Sequence, residues 1–294
     1  MTPSGGYPVP APMIETLLAQ YGTRIPYHPG KWRLVEAVVR AAGLLRGDDH
    51  RTATRGGIQW DLHIRDIVQR SVYFLGAYEI HETRWLLSNI QPGWTACDIG
   101  ANFGYYSHLI ARHGGPNAVI HAFEPNPRSY AALCRIRDLN RFDTLHPHAE
   151  AVAAQAGEID LETPPAGNEG IGRILAPGAT LAPHRTVTRV KAVTLDEVAD
   201  REGLTRLDFV KIDVEGAEPG VLEGGRATLR RLRPRMLVEI NPESLESMGS
   251  SAAALLDAIR ALGFTAHRLR GTRLEPVTAP PAFPDYINAI CLPA

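Results

Sequence analysis

The residues of this chain best placed to do chemistry are carboxylates at the ends of apolar runs. Asp98 closes "TACD", Glu124 closes "HAFE", Asp213 closes "FVKID" with Glu215 and Glu218 just beyond, and Glu239 lies in "LVEIN" ahead of Asn241. A carboxylate at the tip of a buried strand is costly unless a partner or ligand meets it. Asp98 is followed by "IGANFG", in which Gly100 and Gly104 permit a positive φ or a close backbone approach. A helix beginning near Phe103 would turn free N–H groups toward a bound carboxylate. Glu124 stands 24 residues after Gly100, ahead of Pro125 and Asn126. That is about the spacing at which an acid accepts hydrogen bonds from a ribose diol.

The glycine pattern narrows the nucleoside. Read from Gly100, the three glycine positions of G-x-G-x-x-G hold Gly100, Asn102 and Tyr105, so only one is glycine. Bare backbone for a pyrophosphate is therefore missing, whereas Asp98 suits a ligand with a positive amino group. S-adenosylmethionine carries ribose, amine and carboxylate without phosphate. The expected cofactor pocket is Asp98, Gly100, Asn102, Phe103, Gly104, Glu124, Pro125 and Asn126. The competing structural reading makes Asp98 a helix cap and the glycines merely a tight turn. Competing functional readings are a nicotinamide-dependent oxidoreductase and a cofactor-binding protein without turnover.

Strand–helix alternation must position these groups. From residue 92, "WTACDIG", "AVIHAF", "LHPHAEAVA", "LDFVKIDV" and "RMLVEIN" read as strands, with helices over 103–113, 127–139, 216–231 and 251–262; "FTAHRL" and "YINAICL" close the chain. Strands apolar nearly throughout, alternating with helices, signal an α/β fold whose mostly parallel sheet is covered on both faces. Residues 163–184 are rich in Pro and Gly and read as a long binding loop or lid. Ahead of the sheet, "MIETLLAQYG" and "WRLVEAVVRAAGLLRG" have helical periodicity. "GIQWDLHI" alternates Ile58, Trp60, Leu62 and Ile64 as a strand or hairpin does. Two regions are expected: residues 1–90 as a helical and hairpin extension packed on the core, and 91–294 as the cofactor domain.

The 294 residues carry a formal net charge of −1, without the basic excess a nucleic-acid or anionic-membrane surface needs. Cys97, Cys134 and Cys291 show no metal-site or disulfide spacing. No secretory signal is evident at the N-terminus, and no apolar run approaches the 18–20 or so residues of a membrane span. The expectation is a soluble, cytoplasmic protein acting on a small molecule, with no nucleic-acid or membrane partner.

Beyond the cofactor loop the chain resembles the FkbM-type S-adenosylmethionine-dependent methyltransferases. "DIGANFGYYS" (98–107), "HAFEPNP" (121–127), "LN" (139–140), "TLDE" (194–197), "DFVKIDVEGAE" (208–218), "VLEGG" (221–225) and "VEIN" (238–241) follow in that family's order. "VYFLGAYE" (72–79) resembles its upstream segment. The resemblance covers about residues 58–242. It implies a methyltransferase-type Rossmann fold, with a seven-stranded sheet whose last strand runs antiparallel. It also implies methyl transfer to a hydroxyl, often on a sugar or natural-product scaffold. Tyr78 and Glu79 belong to its upstream segment and are candidates to close over the cofactor.

Methyl transfer needs alignment of nucleophile, carbon and sulfur in a dry pocket, and a group to take the hydroxyl proton. Asp213, Glu215 and Glu239 are the candidates, with His81 as a histidine alternative. Asp213 could instead pair with Lys211 or cap a helix, and Glu215 and Glu218 could serve a helix dipole. Asp213, Glu215, Glu239 and Asn241 together offer hard oxygen donors for Mg²⁺ or Ca²⁺, although a metal is not expected. His146 and His148 are weaker base candidates. Arg226, Arg230, Arg231, Arg233 and Arg235 read as a solvated helix end rather than a phosphate site.

Overall fold

A computed structural model describes residues 11–46, 49–163, 172–175, 185–281 and 285–294. The chain divides into two compact units, residues 1–78 and 79–294.

The first unit contains α1 (Ala11–Arg24), α2 (Lys31–Ala41), the antiparallel hairpin β1 (His50–Arg55) and β2 (Ile58–His63), and α3 (Ile67–Leu75). Gly56 and Gly57 both take positive φ, as the tight turn between two twisted strands requires. The alternation read from the sequence buries Ile58, Trp60 and Leu62 on one face. Asp66 caps α3 by accepting from the Gln69 N–H. Leu18, Val35, Val39, Leu44 and Phe74 form this unit's own core.

In the second unit come α4 (Ile80–Asn89), β3 (Thr95–Ile99), α5 (Tyr105–Gly114), β4 (Val119–Phe123), α6 (Pro127–Asn140) and β5 (Leu145–His148). They are followed by β6 (Ala151–Val152), β7 (Gly157–Thr163), β8 (Arg173–Ile174), β9 (Thr186–Val193), α7 (Leu195–Arg201) and β10 (Phe209–Ile212). Next are α8 (Glu218–Gly224), α9 (Arg226–Leu232), β11 (Arg235–Ile240), α10 (Pro242–Ser247) and α11 (Ala252–Ala261). β12 (Phe264–Arg270), β13 (Arg273–Pro276) and β14 (Ile287–Pro293) end the chain. Helix α4, read from the sequence as part of the N-terminal extension, belongs to this unit.

The main sheet has the order β13-β12-β14-β11-β10-β3-β4-β5. Strands β5, β4, β3, β10 and β11 run parallel, and β14 enters antiparallel between β11 and β12. The expected seven strands with an antiparallel last strand are all present. The count rises to eight because β13 folds back on β12 as a hairpin at the edge. From β3 the chain progresses outward to β4 and β5, then returns to β10 on the other side of β3. The reversal leaves a crevice at the carboxyl ends of β3 and β10, where ligands bind in open α/β sheets.

Two stretches depart from the sequence reading. The helix expected over 216–231 is two, α8 and α9, separated at Gly225, whose backbone leaves helical geometry (φ −109°, ψ 11°). A Cβ there would sit 2.8 Å from Leu195 Cδ2 of α7, so only glycine fits at the break. The polar insertion after β5 carries a second sheet, β6-β9-β7-β8. Of the loop expected over 163–184, residues 164–171, 176–180 and 181–184 lie outside the described residues.

Backbone proximity, not only ligand access, explains Gly100. Its φ is +79°, and a Cβ would lie 1.9 Å from the carbonyl oxygen of Asp213. The turn after β3 therefore abuts the turn after β10. Gly216 repeats the arrangement at φ +100°, with the Ser244 carbonyl oxygen 2.3 Å from a Cβ position. Gly100→Ala is expected to lower stability by ~3 kcal/mol or more, from the overlap together with the φ penalty. Gly271→Ala, at φ +62° with nothing within 4 Å, should cost only ~1 kcal/mol. Urea unfolding of both variants checks the contrast.

Candidate functional site

At the tip of β4, Glu124 is buried and both its oxygens accept main-chain hydrogens. The Asn102 N–H donates to Oε2 at 2.7 Å and the Asn126 N–H to Oε1 at 2.8 Å. Asn102 reaches this position by adopting a left-handed conformation (φ 52°). Burial pushes the Glu124 carboxyl up to about 7, against the two backbone bonds that favour its charge. Each oxygen retains a further lone pair, the capacity a diol needs. Asn126 also caps α6, its side chain accepting from the Arg128 N–H, so it serves the fold first. Pro125 stands between these two residues on the same strand tip.

Asp98 ends up fully buried in β3. Its Oδ2 accepts from Ser107 twice, from the N–H at 3.0 Å and from the hydroxyl at 2.5 Å, tying strand to helix α5. Its Oδ1 is buried without a hydrogen-bond partner among the described residues. An orphaned buried carboxylate oxygen is what the amino group of an amino acid would satisfy. Gly104 takes φ +83°, and a Cβ there would lie 2.6 Å from the His108 ring. Phe103 is buried with its ring 6.4 Å from that of Tyr105.

One buried ammonium lies at the centre. Lys211, in β10, contacts Asp213 at 2.7 Å, with Nζ 5.1 Å from the centroid of the Tyr106 ring. Burial works against its charge, but Asp213, Glu79 and Asp98 together hold its pKa above the ordinary value. The ion pair between Lys211 and Asp213, read from the sequence as the alternative to a functional Asp213, is thus formed. Glu79 begins the second unit in a left-handed conformation (φ 43°). It accepts from the Tyr106 hydroxyl at 2.5 Å and from Asn288 Nδ2 at 2.7 Å. Burial raises its carboxyl despite the attraction of Lys211. Tyr78 is the last residue of the first unit.

Strand β10 ends at Ile212, short of both Asp213 and Glu215. Glu215 is instead half-buried at φ 54° in the turn beyond. Its Oε2 accepts from the Ser244 hydroxyl at 3.5 Å, and burial, then Asp213 and Glu218, push its carboxyl to about 7. Glu218 is structural: Oε1 accepts from the Val214 and Gly216 N–H groups and fixes that turn. Glu239, opposite Asn288 across β11 and β14, has a buried Oε2 without a hydrogen-bond partner among the described residues. Burial, then Asp213, Glu215 and Glu218, push its carboxyl far above the ordinary range.

The remaining expectations sort by geometry. Asn241 caps α10, its oxygen accepting from the Glu243 and Ser244 N–H groups. With Asp213 paired to Lys211, two of the four donors read as a possible Mg²⁺ or Ca²⁺ set are committed to the fold. His81 lies half-buried at the start of α4. His146 and His148 turn to His121 of β4 instead. Arg230, Arg231 and Arg233 donate to the carbonyls of Ala261, Leu204 and Ala294, as a solvated helix end does. "TLDE" is a brace: Thr194 and Glu197 form a capping box on α7, and Asp196 accepts from the Ala227 and Thr228 N–H groups of α9. Sequence reasoning missed Tyr106, Ser107 and Asn288. Tyr106 and Ser107 lie within the quoted motif "DIGANFGYYS", and Asn288 left a signal as an amide within the apolar run "INAICL".

Glu239 links this site to stability. Its pKa is raised on folding, so the native state binds more protons than the unfolded chain and stability falls as pH rises through the raised value. Glu239→Gln removes that loss. The melting temperature of the wild type is expected to fall between about pH 8 and 9.5, above the range in which histidines titrate, with a shallower fall in the variant. Thermal denaturation across that range checks it, and equal slopes would contradict it.

Residues 98–266, more than half of the chain, match the methyltransferase FkbM domain. Over 193 residues the chain is 28% identical to the 2-O-methyltransferase NoeI of Sinorhizobium fredii, covering 62% of this chain and 77% of NoeI. It is 26% identical over 158 residues to the hexuronic acid methyltransferase AglP of Haloferax volcanii, covering 54% of this chain and 60% of AglP. Among solved structures, the methyltransferase FkbM from Methylobacillus flagellatus KT aligns with 95% of this chain and 58% of its own, at 12% identity and a TM-score of 0.44. No described helix is long and apolar enough to cross a membrane. With the Gly100 turn, the acids beyond β10 and the "TLDE" brace inside the matched region, the chain belongs to the FkbM methyltransferase domain family.

Proposed function

We propose that this chain transfers the methyl group of S-adenosylmethionine to a hydroxyl of a sugar or sugar-bearing acceptor. The observation that carries the reading is Glu124, held by two main-chain N–H groups at a strand tip beside the Gly100 turn. A carboxylate fixed in this way can accept both hydroxyls of a ribose. The unpartnered Asp98 oxygen supports placement of the amino-acid end nearby. When bound, the cofactor supplies an electrophilic methyl group on a sulfonium. The names of NoeI and AglP, which specify 2-O-methylation and a hexuronic acid, support a carbohydrate hydroxyl as the acceptor.

The chain's own part is to orient the acceptor oxygen and take its proton. As the new carbon–oxygen bond forms, the carbon–sulfur bond breaks, and the hydroxyl proton must leave. Glu215 is the best-placed acceptor for it. Its carboxyl, raised to about 7 by burial and neighbouring acids, is near the value at which a general base combines adequate ionisation with adequate basicity. Asp213 is neutralised by Lys211 and orients the site, and the raised pKa of Glu239 suits it to donate a hydrogen bond. His81 would be the base if Glu215 proves dispensable. The described residues do not include most of the 163–184 segment, which on this reading shapes the acceptor pocket.

Calorimetric titration with S-adenosylhomocysteine tests the cofactor assignment. Micromolar binding is expected, weakened at least ~10-fold in Glu124→Ala through loss of charge-assisted hydrogen bonds, with near-ultraviolet circular dichroism unchanged. Unaltered affinity in a folded variant would refute the ribose assignment. Glu215→Gln should retain S-adenosylhomocysteine affinity while kcat falls ~10²–10⁴-fold. Wild-type kcat should rise with pH through a limb near 7, because the base must be ionised, and the variant should lose that limb.

A further inference from the structure

A second cluster of ligating side chains lies on the outer part of the main sheet. His121 is in the middle of β4, His148 ends β5, and Glu202 follows the last turn of α7. Nδ1 of His121 and Nε2 of His148 face each other at 3.1 Å. One ligand atom from each of the two rings and from the Glu202 carboxylate all lie within 4.8 Å of one another. His121 is 4% exposed and His148 half-buried, while Glu202 reaches the group from the surface. A cavity of about 330 Å³ opens on His121 and Glu202 and is lined also by His146, whose ring centroid is 5.5 Å from that of His121.

We propose that His121, His148 and Glu202 form a binding site for a divalent transition-metal ion of the zinc class. Two imidazole nitrogens and a carboxylate oxygen are the donor set such ions prefer, whereas Mg²⁺ and Ca²⁺ take oxygen. Around a tetrahedral zinc with bonds of about 2.0–2.1 Å, adjacent nitrogens lie about 3.3–3.4 Å apart. The two rings already stand within a few tenths of an ångström of that separation, so binding exchanges one ring–ring hydrogen bond for two metal bonds. Phe123 stacks on the His148 ring at 4.6 Å and fixes its plane. A water from the adjoining cavity can supply the fourth ligand.

The competing cation is Arg201, whose Nη2 is 3.4 Å from His148 Nδ1. Glu150 holds this guanidinium through contacts of 3.2 and 3.0 Å, and Glu202 Oε1 accepts from its Nε at 3.0 Å. Its charge is thus balanced, and Glu202 has a second oxygen for an ion. The site is separate from the one assigned to methyl transfer and does not depend on that assignment. It would pin edge strand β5 to α7, and the His148 carbonyl accepts the Glu124 N–H at 3.0 Å.

Titration of chelator-stripped full-length protein with Zn²⁺ and Co²⁺ tests the proposal. One Zn²⁺ should bind with micromolar or tighter affinity and raise the melting temperature, and Co²⁺ should develop the visible bands of a low-symmetry, imidazole-bound ion. His148→Ala and Glu202→Gln, at less buried positions than His121, should each weaken Zn²⁺ at least ~10-fold and abolish the thermal shift. Excess Mg²⁺ should not compete. Zinc bound equally well by both variants would place it elsewhere, for example at His50 and His63, whose rings lie 4.5 Å apart, and would overturn the assignment. Failure of the wild type to bind Zn²⁺ would overturn it as well.

Discussion

The ammonium of Lys211 sits among more negative charge than it can neutralise. Asp213, Glu79 and Asp98 all act on it, and Glu215, Glu218 and Glu239 lie around Asp213. A buried ion pair contributes little net stability, because desolvation offsets most of the attraction, but removing one partner is severe. The arrangement therefore sets positions more than it adds stability. β10 places the ammonium in register with Asp98 of β3, Glu79 is drawn in at a strained φ, and Tyr106 and Asn288 are held by Glu79. Acids that the single cation cannot serve respond by raised pKa values. A ligand bringing an ammonium and a sulfonium would supply the missing positive charge, which connects the electrostatics of the fold to the cofactor.

Around that centre much of the polar chemistry is structural. Asp208 accepts from the Thr95 N–H and locks the start of β3 beside β10. Asp196, Glu197 and Glu218 each satisfy main-chain donors at a helix start or turn. Gly100 and Gly216 allow the turns beyond the strands to approach within side-chain distance of their neighbours. The crevice at the strand ends is thereby built from braced loops, and the acids left without such duties, Glu215 and Glu239, are the ones free to act on an acceptor.

The parts legible in the sequence depend on local order. Parallel strands announce themselves as apolar runs, and the spacing of Gly100 and Glu124 follows from one strand–helix–strand unit. The resemblance supplied the sheet order's antiparallel last strand. Contacts across long separations were not legible. Asn288 reaches Glu79 only because β14 inserts between β11 and β12, and His121 meets His148 only through the β4–β5 register. The position of Glu215 was not legible either, because β10 stops at Ile212 and a left-handed turn follows. The break at Gly225 did have a local signal, the Gly224-Gly225 pair, which the reading of one helix over 216–231 passed over. The β7–β9 pairing was obscured by the Pro- and Gly-rich segment between its strands.

The central claim, that these strand ends hold S-adenosylmethionine with its ribose on Glu124 and its sulfur toward the acids beyond β10, is tested most directly by a crystal structure of the protein with S-adenosylhomocysteine. The account predicts both ribose hydroxyls within hydrogen-bond distance of the Glu124 carboxylate, the amino-acid end beside the Gly100 turn, and the sulfur facing Asp213 and Glu215. A nucleoside bound away from Glu124, or oriented with its sulfur away from β10, would contradict it.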